Sequence, residues 1–166
     1  ANFQPLTPLT FLERAATVMP EHVAIIHGAQ RISYAQFYRR SRQLASALVS
    51  EGIERGDAVS VLMPNVPPML EAHHGVPMSG AVLHAINTRL DAQTIAFQLD
   101  HASARILIVD RAFVPLAEAA LALTAVTPLF IVYNDPEFAS KEIGKLSWVD
   151  YSAFVAQGDP DFAWLM

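Results

Sequence analysis

Three short apolar runs, separated by stretches with helical spacing, constrain the fold of this chain more than any other feature. Residues 59–63 are closed by Pro64-Asn65, residues 81–86 by Asn87-Thr88, and residues 106–109 contain no polar side chain at all. A strand with one face in water alternates apolar and polar residues, whereas a strand covered on both faces reads as a continuous run. Helical patterns between such runs make βαβ units, with parallel strands and right-handed crossovers. The predicted fold is therefore α/β, a Rossmann-like parallel sheet with flanking helices. A fourth strand is expected at Leu129–Tyr133, after a helix over residues 114–123. A small hairpin, residues 22–27 and 31–33 around Gly28-Ala29-Gln30, is expected before the sheet.

These elements fall into one subdomain. Residues 1–56 hold a helix, the hairpin and a second helix; residues 57–133 hold a βαβαβαβ core; residues 134–166 are an irregular segment and connector. Thr10-Phe11-Leu12-Glu13 has capping-box spacing, and the helix it opens should stop near Met19 because Pro20 follows. Ser33-Tyr34-Ala35-Gln36 is a second capping box. Behind it Tyr34, Phe37, Tyr38, Leu44, Ala45 and Leu48 share one helical face, with Gly52 as the C′ residue. Arg39, Arg40 and Arg42 lie mostly on the other face and read as solvated rather than as an anion site, since no helix N-terminus or paired donor converges on them. Asn65 is expected to cap the third helix, and Pro77 to kink or end it around residues 75–76. Asp91 should cap the fourth, which buries Ile95, Leu99 and Ala102. A short helix opened by residues 147–150 and ended by Gly158 is the last expected element, before the connector Asp159-Pro160-Asp161.

Composition narrows the function. Apolar residues make up 52% of the 166 and charged residues 16%, so some apolar surface is expected to belong against further chain. If the chain dimerises, that surface is the expected homodimer contact. The net charge is −5, without a Lys/Arg block, so no nucleic-acid partner is expected. With no cysteine there is neither disulfide nor thiolate metal site, which fits a cytoplasmic protein. The N-terminus lacks the features of a signal peptide, and the most apolar window, residues 119–133, is shorter than the roughly 20 residues of a membrane span.

No G-x-G-x-x-G, Walker loop, G-x-S-x-G or H-E-x-x-H occurs. His73 and His74, adjacent on a helix, point about 100° apart and cannot share a metal. The other histidines have no ligand-spaced partners. In open α/β sheets, ligands sit outside the carboxyl ends of the strands. Three loops meet that condition: Pro64-Asn65, Asn87-Thr88-Arg89 and Asp110-Arg111. The second is the most polar and leads into a helix N-terminus, where backbone N–H groups and Arg89 could hold a phosphate. Its residues are equally ordinary turn formers, and Arg89 could simply pair with Asp91.

Three segments, in order, resemble a known superfamily. Arg31-Ile32-Ser33-Tyr34-Ala35-Gln36-Phe37 resembles an early "(L/Y)(T/S)Y-x-(E/Q)(L/F)" motif, and Gly56-Asp57-Ala58-Val59-Ser60-Val61-Leu62-Met63-Pro64-Asn65 a "GD-x-V-(A/G)-(V/I)-x-x-x-N" strand and cap. Gly80-Ala81-Val82-Leu83-His84-Ala85-Ile86-Asn87-Thr88-Arg89-Leu90 resembles "AGA-x-x-x-P-(I/L)-(N/D)". The chain thus resembles the amino-terminal part of the acyl-adenylate-forming superfamily. Its "INTRL" form is similar to that of bacterial acyl-CoA synthetases for medium-chain or related carboxylic acids. The resemblance implies an ATP-dependent acid:CoA ligase that forms an acyl-adenylate and then an acyl-CoA thioester, with ATP, CoA and Mg²⁺ as cofactors. It also implies that the phosphate loop and catalytic lysine lie later than residue 166. The chain alone is then expected to be inactive, to hold no cofactor tightly and to supply no catalytic residue. Asn87, Thr88 and Arg89 correspond to a loop near the nucleotide end of CoA. The rival reading is a free-standing, non-catalytic α/β binding or oligomerisation module.

Overall fold

The computed structural model describes residues 7–138 and 144–164; the ends of the first and last predicted segments, and residues 139–143, lie outside them. In chain order the elements are α1 (Pro8–Val18), β1 (Val23–His27), β2 (Gln30–Ser33), α2 (Tyr34–Ser50), β3 (Ala58–Leu62), α3 (Pro67–Met78) and β4 (Val82–Ala85). They continue with α4 (Ala92–His101), β5 (Ile106–Asp110), α5 (Val114–Leu121), β6 (Leu129–Tyr133), β7 (Val149–Asp150) and α6 (Tyr151–Ala156).

The predicted parallel sheet is present, in the order β4-β3-β5-β6-β7, and β1 pairs antiparallel with β2 as a separate hairpin. Every pairing in the larger sheet is parallel, as βαβ crossovers require. The two faces of β3 explain why it is apolar on both, with the buried Ser60 its one polar side chain. Val59 and Val61 enter a core shared with α2, α3 and α6, while Leu62 enters a second core under α4 and α5. β5 is buried at every position for the same reason. A third cluster, including Leu12, Ile25, Phe37 and Ala45, seats α1 and the hairpin on α2.

Several local expectations shift. Helix α1 starts at Pro8 with Thr7 as N-cap, so Thr10 lies inside it and Glu13 is not a capping partner. Proline's fixed φ favours the first helical position, which draws the start three residues earlier. Asn65 does not cap α3. Val66 does so, without a side-chain bond, because the pair Pro67-Pro68 forces its predecessor into an extended conformation (φ −111°, ψ 165°). Pro77 does not end α3 at residues 75–76; the helix runs to Met78, with the proline in its last turn. Ser33 and Gln36 do form the reciprocal capping box of α2, and Asp91 caps α4 by accepting from Thr94 N at 2.8 Å. Ala102, expected in the core, is instead the half-buried C-cap of α4, and Ala96 is buried with Ile95 and Leu99. Helix α5 stops at Leu121 and is preceded by a single 3₁₀ turn.

The expected helix near the end is α6, capped by Asp150. Ahead of it Val149–Asp150 pair with Ile131 and Val132, giving the sheet a fifth strand. The connector that follows is docked on α2. Asp159 N donates to Ser46 Oγ at 3.0 Å, and Arg42 pairs with Asp161 at 3.1 Å.

Candidate functional site

Strand β3 has β4 on one side and β5 on the other, so the chain reverses direction across the sheet between β3 and β5. Crevices at such switch points, outside the carboxyl ends, are where open α/β sheets bind ligands. The carboxyl ends of β5 and β6 carry two buried acids, Asp110 and Asp135, which are 5% and 3% exposed. Asp110 Oδ1 accepts from Ala112 N at 2.9 Å, and Asp135 Oδ1 from Glu137 N at 2.9 Å. His27, at the tip of the hairpin, donates from Nε2 to both oxygens of Asp135, at 3.0 and 2.9 Å. Burial raises the Asp110 carboxyl above the usual carboxylate range and the charge of Asp135 adds to this, while its backbone bond and His27 act the other way. His27 therefore has a partner after all, but one 108 residues away, which no spacing rule could find.

Asn87, Thr88 and Arg89 follow β4, an edge strand, at the far side of the sheet from Asp135. Asn87 Oδ1 accepts from Arg89 N at 3.0 Å, and Leu90 N donates to Asn87 O at 3.2 Å. Thr94 N is held by Asp91. Those three N–H groups are thus occupied by the chain's own acceptors, and the Asp91 carboxylate stands at the helix start where an anion would go. The Arg89 side chain is exposed and makes no ion pair with Asp91. What the loop offers a ligand is this guanidinium and the Thr88 hydroxyl.

The arginines of α2 are not a solvated face. Arg40 Nε and Nη2 reach the two carboxylate oxygens of Glu71, which is 1% exposed on α3. Tyr151 donates to the same carboxylate at 2.8 Å, so one buried acid ties α2, α3 and α6 together. Arg42 lies over the Tyr38 ring at 4.7 Å and pairs with Asp161. Only Arg39 of the three is fully exposed. Arg39 and Arg40 border an open cleft of about 710 Å³ between the hairpin, α2, the start of α3 and the end of β6.

The histidines behave as packing groups. His73 Nδ1 and His74 Nδ1 donate to the carbonyls of Met69 and Leu70 one turn earlier, at 2.7 and 3.1 Å. The Ser60 hydroxyl and His84 Nδ1 share a hydrogen bond at 2.9 Å across the β3–β4 pair, and Ser60 is fully buried. Burial lowers the His84 pKa, with a bond to Gln98 opposing the shift. Among the described residues no group of three or more His, Asp or Glu could hold a metal ion. No described helix is long and apolar enough to cross a membrane.

The sequence model of a family described as AMP-binding enzyme matches residues 12–161. An acetate–CoA ligase of Humulus lupulus is 45% identical over 99% of this chain, and a peroxisomal butyrate–CoA ligase of Arabidopsis thaliana is 45% identical over 96%. The chain spans only 31% and 28% of those two proteins. Among solved structures, the anthranilate CoA ligase AuaEII in complex with anthranoyl-AMP superposes with a TM-score of 0.84 at 20% identity, over 95% of this chain and 29% of that one. A benzoate CoA ligase of Burkholderia xenovorans LB400 gives 0.78 at 22% identity, over 92% and 28%. These two likenesses establish the fold of the amino-terminal region of such proteins.

Proposed function

Because the chain belongs to the AMP-binding enzyme family, we propose that it is the amino-terminal part of an AMP-forming acid:CoA ligase using ATP, CoA and Mg²⁺. The observation that carries the reading is 45% identity over 99% of the chain to a protein named for acetate–CoA ligation, of which the chain covers 31%. In this chemistry the carboxylate attacks the α-phosphorus of ATP, pyrophosphate leaves, and the CoA thiol then displaces AMP. In this reading the part of the chain is to build the sheet on which the reacting groups are mounted. Mg²⁺ and the oriented donors that stabilise charge on phosphorus come from other parts of the protein.

Within this reading the exposed Arg89, with Asn87 and Thr88 shaping its loop, lies on the CoA side as a contact to a CoA phosphate. The acid is a carboxylic acid of medium chain or related type, and relatives named for acetate, butyrate and benzoate widen the set to be assayed. The compartment is proposed to be the cytoplasm; four of the similar ligases carry "peroxisomal" in their names. Exposed apolar side chains such as Val82 on β4 and Phe97 on α4 support self-association as part of the proposal.

The test is acid-dependent ATP–pyrophosphate exchange and thioester formation by the full-length protein, with the 166-residue chain as the comparison. Activity is expected from the former and none from the latter. Arg89→Gln in the full-length protein should raise the KM for CoA about three- to tenfold, the loss of one exposed charge-assisted hydrogen bond. No exchange with any acid by the full-length protein would leave the non-catalytic module as the reading. An unchanged KM would remove Arg89 from the CoA side.

A further inference from the structure

The cleft between the hairpin, α2, α3 and β6 gathers more cationic than anionic side chains along its lining. Three guanidiniums, Arg31, Arg39 and Arg40, line it against the single carboxylate of Glu71, in a chain whose net charge is −5. That carboxylate is already engaged by Arg40 and by the Tyr151 hydroxyl, so it presents little free charge to the opening. Arg31 is fixed in place, its Nη1 donating to the carbonyls of Gly28 and Gln30 at 2.8 and 2.9 Å. Arg39, by contrast, is exposed and makes no ion pair among the described residues.

One further donor faces the same space. Tyr133 is 7% exposed as a residue, and its hydroxyl, which has no hydrogen-bond partner among the described residues, opens to the cleft, where it can donate to a ligand. Burial raises the Tyr133 pKa, with Asp135, Glu71 and Asp110 adding to the effect and Arg40 opposing it, so the hydroxyl stays protonated and is a donor at neutral pH. At about 710 Å³ the cleft has the size of a small-molecule site. It also lies where parallel sheets place their ligands, outside the carboxyl end of β6.

We propose that this cleft binds a small multivalent oxyanion, held by Arg39 and Arg31 with Tyr133 donating from the floor. Guanidinium groups pair with phosphate and carboxylate oxygens alike, so the shared chemistry is the oxyanion. The site is distinct from the Asn87–Arg89 loop, and its occupancy does not depend on ligase activity.

Isothermal titration calorimetry on this chain, at constant ionic strength in chloride, tests it with two probes, inorganic pyrophosphate and citrate. Saturable binding of either is expected, and the probe that binds tells phosphate from carboxylate chemistry. Arg39→Gln should weaken that binding about tenfold or more and Tyr133→Phe severalfold. Arg39 has no structural partner, so its variant tests the site without threatening the fold; an unchanged circular dichroism spectrum checks this. No saturable heat with either probe, or equal affinity in wild type and Arg39→Gln, would overturn the proposal.

Discussion

Replacing Gly158 by alanine tests how the end of the described chain is held. Its φ lies outside the left-handed region, so alanine there carries no backbone strain and would by itself stabilise by roughly 0.4–1 kcal/mol through the unfolded state. Against this, a methyl group would stand 2.7 Å from the Gln43 carbonyl carbon, 3.0 Å from Gln43 Cα and closer still to the carbonyl oxygen. Those are backbone atoms inside the 17-residue helix α2 and cannot rotate away. The segment after α6 must therefore back off, loosening the bond from Asp159 N to Ser46 Oγ at 3.0 Å and that from Trp164 Nε1 to the Tyr38 hydroxyl at 3.0 Å. Overpacking costs about 1–3 kcal/mol, and each weakened bond about 1 kcal/mol more. The net expectation is a loss of about 2–4 kcal/mol, or roughly 5–15 °C in Tm for a chain of this size. Urea unfolding followed by circular dichroism measures it. Gly52→Ala is the comparison, since Gly52 sits at φ +85° in open space and should lose only about 1–2 kcal/mol, from strain. Gly158→Ala with wild-type stability or better would refute the close approach, because only the clash makes the sign negative.

Two buried titratable groups give opposite pH dependences. The His84 pKa is lowered by burial, so the unfolded chain binds the proton first; stability is complete above the ordinary value of 6.5 and is lost as pH falls from there toward the folded pKa. Urea midpoints between pH 8 and pH 5 should fall, less steeply in His84→Gln, and parallel slopes would refute the assignment. The Asp110 pKa is raised by burial, so its contribution is present at low pH and lost as pH rises through the folded value. Asp110→Asn keeps an acceptor for Ala112 N and should be more stable than wild type at pH 7 but not at pH 3; a lower midpoint at pH 7 would count against it.

β5 and β6 were legible because burial on both faces leaves a mark in the sequence itself, four or five apolar residues without a break, whereas the runs of β3 and β4 are interrupted by Ser60 and His84 and β4 is a half-exposed edge strand. β7 left no such mark. Two residues, Val149 and Asp150, pair with β6 because the chain returns there, not because of their own propensity. Caps were legible where one side chain and one nearby N–H suffice, as at Ser33 and Asp91. They shifted where proline decided the geometry, at Thr7 and Val66. The Asn87–Arg89 loop was visible as polar residues after a strand, while the fact that its own side chains occupy several of the N–H groups was not.

The sequence by itself determined the α/β class, the parallel sheet, the hairpin and the family, since each rests on local periodicity or on ordered short motifs. Only the tertiary structure decided which charges meet. Arg40 and Glu71 are 31 residues apart, and His27 and Asp135 are 108 apart. Arg39 and Tyr133 come to border one cleft from different elements. Helical spacing states which face a side chain occupies, but not what the rest of the chain brings to that face. A row of arginines therefore reads as solvated until the fold sets a buried carboxylate and a hydroxyl donor beside it.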